Sequence, residues 1–346
     1  MTSVSVVIPC YRYGHFLEEA VTSVLDDQEG VDVRVLIIDD ASPDDSADTA
    51  KKIAARDPRV EVVVHETNRG HIATYNEGLL EWADGDYSVM MSADDKLTPG
   101  ALRRARDLLD AHPEVGFVYG HPLWFWEDKP VPTPRTRLRG WSVWPGQWWL
   151  ERRLRQGENC ITSPEVVVRT SLQKRVGGYD PRLPHSGDQE MWMRLAAHAD
   201  VGFLRGVDQA FYRVHGRNMR TTFSALMDLR QKRLAFEVSF DLFGERLSDA
   251  KGLSDGVHRR LSREALWIAA RSYDLGTAEP AVVDELVAFA FDCWPQADRL
   301  PIYHTLRARR RIGPEAMPYL RPFVVSPFVK RAHGYVQRRS WKYRGY

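Results

Sequence analysis

The sequence predicts an α/β fold on a mainly parallel sheet, followed by a helical C-terminal part. Three observations carry this reading. Short apolar runs alternate with helical periodicity through the first third of the chain. Successive residues within each run are apolar, as in strands covered on both faces. Beyond about Thr221 only helical spacing remains.

Taken in order, Ser5–Ile8 is the first strand, ended by Pro9, and a helix follows over Tyr13–Leu25. Val33–Ile38 is a buried strand closed by Asp39 and Asp40, with a helix over Ser46–Arg56. Val60–His65 and Tyr87–Met91 are further strands, separated by a helix over Ile72–Glu81. Thr98 followed by Pro99 reads as an N-cap with proline at the first helical position, opening a helix to about Ala111. A strand is expected at Val115–Tyr119. Pro122–Pro145 is rich in proline, tryptophan and arginine without periodicity, which predicts a long functional loop. Helices over Gln147–Arg155 and Gln189–Ala197 flank a short strand, Val166–Val168, and a Gly177-Gly178 turn, and Ala210–Val214 is the last strand. Helices over Phe223–Leu242, Val257–Leu275 and Pro280–Phe291 fill the remainder.

The 346 residues are 43% hydrophobic and 27% charged, ordinary for a globular chain able to bury a core. Net charge is +1, but the residues from Thr305 onward hold 11 Lys/Arg against Glu315 alone. Such a tail fits an anionic surface such as a membrane, and equally a solvated helix face or a homodimer contact. No nucleic-acid partner is expected. Cys10, Cys160 and Cys293 are far apart and odd in number, which argues against a disulfide framework and suits a reducing, cytoplasmic location. No stretch approaches the ~20 apolar residues of a membrane span, so any membrane contact would be peripheral, on the inner face.

Ligands of open parallel sheets bind at the carboxyl ends of the strands. Pro9, Tyr11, Asp39, Asp40, Asp94 and Asp95 all fall there. One acidic pair could cap a helix. Two pairs at one end of a sheet repel unless a cation or donor compensates. Mg²⁺ or Mn²⁺ takes carboxylate oxygens and also accompanies nucleoside diphosphates. A carboxylate after the second strand, as at Asp39, can accept from a base N–H or a ribose hydroxyl.

Seven further blocks stand out: Val4–Leu17, Ile38–Ser46, Asn68–Gly78, Ser92–Asp95, Gly177–Asp180, Ser186–Leu195 and Tyr212–Asn218. Together, and in this order, they resemble the family 2 glycosyltransferases. The resemblance implies a GT-A fold, a nucleotide-sugar donor and an inverting transfer. It places Pro9, Tyr11 and Asp39 at the nucleoside, with Asp40 and His71 around the ribose and phosphates. Ser92-Ala93-Asp94 stands for the family's DXD motif, with serine replacing the first aspartate, so metal binding falls to Asp94, with Asp95 and His215 as further candidates. Asp188 corresponds to the catalytic base, which must take the proton of the attacking hydroxyl; Glu190 is the second candidate, and helix capping is the plain alternative for Asp188.

Seven of the 11 tryptophans lie between Trp124 and Trp192. Their flat faces suit sugar stacking as well as packing. Trp141, Trp144 and Trp192, with Glu190, are the acceptor-side candidates. Residues 1–220 are expected to form the catalytic domain, with 1–97 binding the nucleotide and 98–220 the acceptor. Residues 221–346 are expected to be helical with a basic tail. A single transfer per acceptor is expected, since Gln337–Trp341 lacks the arginine before tryptophan of the related processive enzymes. The acceptor could be a glycan, a lipid-linked sugar or a small molecule, and the donor a UDP-, dTDP- or GDP-sugar. The competing functions are an NDP-sugar-forming nucleotidyltransferase and a non-catalytic nucleotide-sugar-binding relative. The first usually needs a glycine-rich loop after the first strand, where Pro9–Gly14 has one glycine; the second would lack Asp94, Asp95 or Asp188.

Overall fold

The computed structural model describes residues 1–218, 223–324 and 345. Strands β1 (Ser3–Cys10), β2 (Asp32–Asp39), β3 (Val60–Val64) and β4 (Tyr87–Met90) lie in the order β3–β2–β1–β4, all parallel. They bury Val6, Ile8, Val35, Ile37 and Val89, the apolar runs read from the sequence. Helices α1 (Gly14–Leu25) and α2 (Ser46–Ala54) dock at their N-termini. Gly14 N donates to Ser46 Oγ at 2.8 Å, and a Cβ on Gly14 would stand 2.6 Å from Ser46 Cα. The contact ties the carboxyl end of β1 to that of β2. Helix α3 (His71–Asn76) passes into a wider π-helical turn at Glu77–Trp82, so the segment expected as one helix has two geometries. Gly78 lies in that turn, where a Cβ would meet Val7 Cγ1 at 2.3 Å.

The rest of the sheet is built from β5 (Lys96–Leu97), β6 (Val115–Trp126), β7 (Trp141–Trp144), β8 (Val167–Arg169) and β9 (Asp200–Val214). It continues from β4 as β8–β6–β9–β5, with β7 also on β9. Only β6 and β9 pair in parallel here, so the sheet is parallel in its first half and mixed in its second. Helices α4 (Ala101–Ala111), α5 (Gly146–Gln156), α6 (Thr170–Val176) and α7 (Gly187–Ala196) complete this part.

Two expectations need correction. The stretch expected as a loop contains strand at both ends: β6 continues to Trp126, paired with β9 up to Val214, and Trp141–Trp144 is β7. In β6, Phe125 is buried while Trp124 and Trp126 are exposed, so an all-aromatic composition hides a real inside–outside alternation. Thr98 does not cap α4. The cap is Gly100 in the left-handed region (φ +68°), and the buried Thr98 hydroxyl donates to Asp208 O at 2.6 Å.

Among the described residues the chain divides into two compact units, one drawn from 1–150, 159–218 and 345, the other from 151–158 and 223–324. The second is helical. Helix α9 (Ala250–Leu275) is packed by α8 (Ala225–Phe243), α10 (Pro280–Cys293), α11 (Pro301–Ile312) and α12 (Met317–Val324). Leu253, Val257, Leu261, Ala265 and Ala269 recur every four residues along its buried stripe. Ser224 and Asp249 cap α8 and α9 by accepting from Met227 N and Gly252 N. Arg309, one of the arginines expected to face an anionic surface, is instead buried against Asp274, with Nε 2.8 Å from Oδ1 and side chains 7% and 4% exposed. Arg310 pairs with Asp284 at 2.7 Å. Arg338, Arg339 and the Gln337–Trp341 run lie outside the described residues. No described helix is long and apolar enough to cross a membrane. Cys10 and Cys293 are free, buried thiols.

Candidate active site

A cleft of about 490 Å³ opens at the carboxyl ends of β1, β2 and β4. Pro9, Tyr11, Asp40, His71, Asp94, Asp95 and Asp188 line it, so one hollow gathers most of the residues singled out from the sequence. Tyr11 is 45% exposed. Its neighbour Arg12, and Ala41 just after β2, both hold positive φ, +62° and +55°. Side chains other than glycine adopt that region at a cost of about 1 kcal/mol, and such strain clusters at functional sites. The two turns are stitched together: Arg12 N donates to Ser42 Oγ, and Ser42 N donates to Asp39 Oδ2, both at 2.9 Å.

Asp39 is fully buried and absent from the cleft's described lining. Its Oδ1 is a buried acceptor with no partner. Asp40, by contrast, is already spent on the protein. Its Oδ1 accepts from Arg69 N at 2.8 Å and faces His65 Nδ1 at 2.7 Å, and its Oδ2 accepts from Gly70 N at 2.9 Å. Burial opposes its charge, but the Arg69 N–H, the His65 ring and the Gly70 N–H together hold the carboxyl below its ordinary value. His65 reaches Glu77 at 3.0 Å through its other nitrogen, and Arg69 joins the same carboxylate at 2.8 Å. Asp40 therefore fastens the Asn68–Gly70 turn that forms one rim of the cleft. His71 follows on that rim and donates from Nε2 to Pro184 O at 2.8 Å, with burial pushing its ring toward the neutral form.

Behind the second acidic pair stands a cation that sequence reading missed. Arg213 on β9 donates from Nε to Asp94 O at 2.7 Å, from its backbone N to Asp95 Oδ1 at 2.9 Å, and from Nη2 to Glu19. Its guanidinium lies over Phe16 and Phe125, 4.4 and 4.6 Å from the ring centres. Burial and then the Asp94 charge push the Asp95 carboxyl well above its ordinary value. Asp94 Oδ2 faces His215 Nε2 at 3.0 Å and Asn218 Nδ2 at 3.2 Å. Arg217 N donates to His215 Nδ1 at 3.1 Å, which leaves the proton on Nε2, facing Asp94. No described group of three or more His, Cys, Asp or Glu side chains converges to hold a metal by itself.

Asp188 is the second residue of α7, whose N-cap is Ser186. Its Oδ1 accepts from Gln189 N at 2.7 Å and its Oδ2 from Asn159 Nδ2 at 2.8 Å. Burial pushes its carboxyl up to about 6, against the lowering pull of these bonds and of His185. Tyr75, on α3, also lines the cleft, and its phenol is raised by burial and then by the charges of Asp94 and Asp188. Asn76 clamps α3 to the Gly177–Asp180 turn, with Nδ2 to Tyr179 O at 2.9 Å and Tyr179 N to Oδ1 at 2.6 Å. Glu165, also missed in the sequence, is buried and accepts from Thr162 N at 2.6 Å and from its hydroxyl; burial pushes it up to about 7.

Four candidates lie elsewhere. Glu190 is 0% exposed and locked to Arg194 by bonds of 2.9 and 2.7 Å. Trp192 is buried and stacked on Phe117, 6.1 Å between ring centres. Trp141 packs on the core and edges onto His112, and Trp144 stacks on Trp148 and Phe203. These tryptophans fill space between strands and helices. Trp124 is the one that reaches the cleft's edge: it lies 4.6 Å from Tyr212, which lines the cleft.

Comparison with known proteins bears on the family and the fold. The glycosyl transferase family 2 model matches residues 5–171. An uncharacterized protein of Sinorhizobium fredii is 32% identical over 72% of this chain, which spans only 26% of that relative's length. S. aureus TarS 1–349 in complex with UDP-GlcNAc superposes with a TM-score of 0.64 at 18% identity, covering 92% of this chain and 90% of its own. The mannosyltransferase PcManGT from Pyrobaculum calidifontis, in complex with GDP-Man and Mn²⁺, gives a TM-score of 0.51 at 17% identity over 89% and 86%. At these identities the two structures speak to the fold alone. Residues 5–171, just under half of the 346, thus match the glycosyl transferase family 2 model, and sheet order and superposition give the chain the GT-A fold.

Proposed function

We propose that the protein transfers one sugar from a UDP-, dTDP- or GDP-sugar to an acceptor hydroxyl, with inversion at the anomeric carbon. The observation that carries this reading is the pair Asp94 and Asp188 on one cleft, approached from β4 and from α7, with Tyr75 on the same lining. Residues 1–97 supply the donor side and 98–220 the acceptor side. The orphan Asp39 Oδ1 suits a nucleobase N–H, and the exposed Tyr11 ring suits stacking on the base. The His71 rim and the Asn68–Gly70 turn would border the ribose and diphosphate.

The donor set fits Mg²⁺ or Mn²⁺. Such ions take one or two carboxylates and complete their shell with water and substrate phosphates, which suits a site where few protein groups converge. Asp94 would hold the ion, with His215 joining only if its ring exchanged the proton it now directs at Asp94. A bound ion would neutralise charge on the departing diphosphate. The chain's own residues do the rest. Arg213 fixes the Asp94 backbone and offsets the acidic pair. Asp188 accepts the acceptor's hydroxyl proton as the new C–O bond forms, while the electrons of the old bond leave on the phosphate oxygen.

The test is release of nucleoside diphosphate from a panel of UDP-, dTDP- and GDP-sugars, with and without Mn²⁺, and NMR of the product anomer. Metal-dependent release is expected, lost in Asp94→Ala and Asp188→Asn. Undiminished turnover in both variants would remove the assignment.

A further inference from the structure

The Asp188 carboxylate touches one side chain whose orientation is fixed by something other than Asp188 itself. Asn159 lies 29 residues earlier in sequence, on the segment that leads into the cleft wall at Thr162–Pro164. Its Oδ1 accepts from Ile161 N at 3.1 Å. An amide has its acceptor on one arm and its donors on the other, so that bond commits Nδ2 to Asp188 Oδ2, 2.8 Å away. Gln189 N occupies Oδ1. The carboxylate is thus gripped at both oxygens and its plane is set before any ligand arrives. The segment that carries Asn159 is itself anchored, since Glu165 accepts from Thr162 N and from the Thr162 hydroxyl.

We propose that Asn159 is a positioning residue for the base. It orients the Asp188 carboxylate in the cleft and favours its charged form, the form able to take a proton. This rests on Asp188 being the base. An N–H donor to a carboxylate stabilises the anion and not the acid. Burial pushes Asp188 the other way, toward protonation. The groups facing it are His185, which favours the anion, Glu165, whose own carboxyl the Asp188 charge helps to keep protonated, and the phenols Tyr75 and Tyr179. Asn159 is the only neutral side chain among its described hydrogen-bond partners. Without it the carboxyl would stay protonated to higher pH and would be free to turn.

The experiment reads the carboxyl directly and needs no acceptor. NMR of the protein labelled at its aspartate carboxyl carbons follows Asp188, assigned by the resonance lost in Asp188→Asn. Asn159→Ala should raise its titration midpoint by about one pH unit. Asn159→Asp is isosteric and keeps the Ile161 bond, but sets a second carboxylate against the first; it should raise the last step by about two units. Both variants are checked for a cooperative melt, which shows that they fold, and for UDP binding, which should be unchanged. Once a donor and acceptor are in hand, the acid limb of kcat/KM should move by the same amounts. A midpoint that stays put in either folded variant overturns the role of Asn159. An inactive Asp188→Asn beside that result leaves the base assignment standing; a fully active Asp188→Asn defeats the base and leaves the titration result as structure only.

Discussion

Replacing Asp188 by Asn should alter stability in a pH-dependent way, and the structure sets its size. The Asp188 carboxyl is raised from 3.8 to about 6 in the folded protein, chiefly by burial. Between those values the folded state holds a proton that the unfolded state has released. Stability therefore falls as pH rises through this window, and the penalty is complete above the folded value. Two pH units correspond to about 3 kcal/mol at most. The side chain is partly open to a water-filled cleft, so about 1–2 kcal/mol is the better expectation. Asn cannot titrate and escapes this term. It does meet the Asn159 amide donor to donor, because Ile161 holds that amide in place. That mismatch costs about 1 kcal/mol but is the same at every pH. The diagnostic is thus the slope and not the offset. Urea melts from about pH 4 to about pH 7 should show Asp188→Asn gaining about 1–2 kcal/mol on the wild type, most of it below about pH 6. Parallel curves would mean a solvated carboxyl of ordinary acidity, and the case for a tuned base would go with it.

Other consequences can be checked separately. Gly78→Ala drives a methyl into Val7, 2.3 Å from Cγ1, and should cost about 1–3 kcal/mol in chemical melts. Asp274→Ala strands the buried Arg309 and should cost about 3–5 kcal/mol, whereas Asp274→Leu with Arg309→Met should recover most of that; equal losses in both would show the pair is not the reason. UDP binding measured calorimetrically should weaken when Mn²⁺ is chelated, and Asp94→Ala should erase the difference between the two conditions. Glu165→Gln removes an acid raised from 4.5 to about 7, so its stability relative to wild type should improve as pH climbs from about 5 to about 8.

The first half of the fold was legible because fully buried parallel strands write themselves as unbroken apolar runs. Ile8, Val35, Ile37 and Val89 are such positions. The acidic turns were legible too, since each follows a strand directly. The second half was harder. β6 carries Trp124 and Trp126 on an exposed face and Phe125 on a buried one, so hydrophobicity does not alternate though burial does. Contacts distant along the chain were out of reach: Arg213 meets Asp94 across 119 residues and Asn159 meets Asp188 across 29. Arg213 stood inside a recognised block, beside His215, yet nothing in its neighbours' identities says that it lies under the acids. Aromatic density also marks a large volume to be filled: Trp149 and Trp192 pack on Phe117, and Trp144 on Trp148 and Phe203. Asp39 and Asp40 looked equivalent as letters; their surroundings separate them, one holding an oxygen idle and the other fastening a turn.

That idle oxygen has a thermodynamic meaning of its own. An unmatched lone pair sealed from solvent raises the energy of the empty protein by about 1–3 kcal/mol, and the debt is cancelled only by a guest that brings a hydrogen to that spot. A guest of the same shape without the hydrogen leaves it outstanding and is disfavoured by roughly ten- to a hundred-fold. Discrimination at Asp39 would then arise from what the wrong molecule fails to repair.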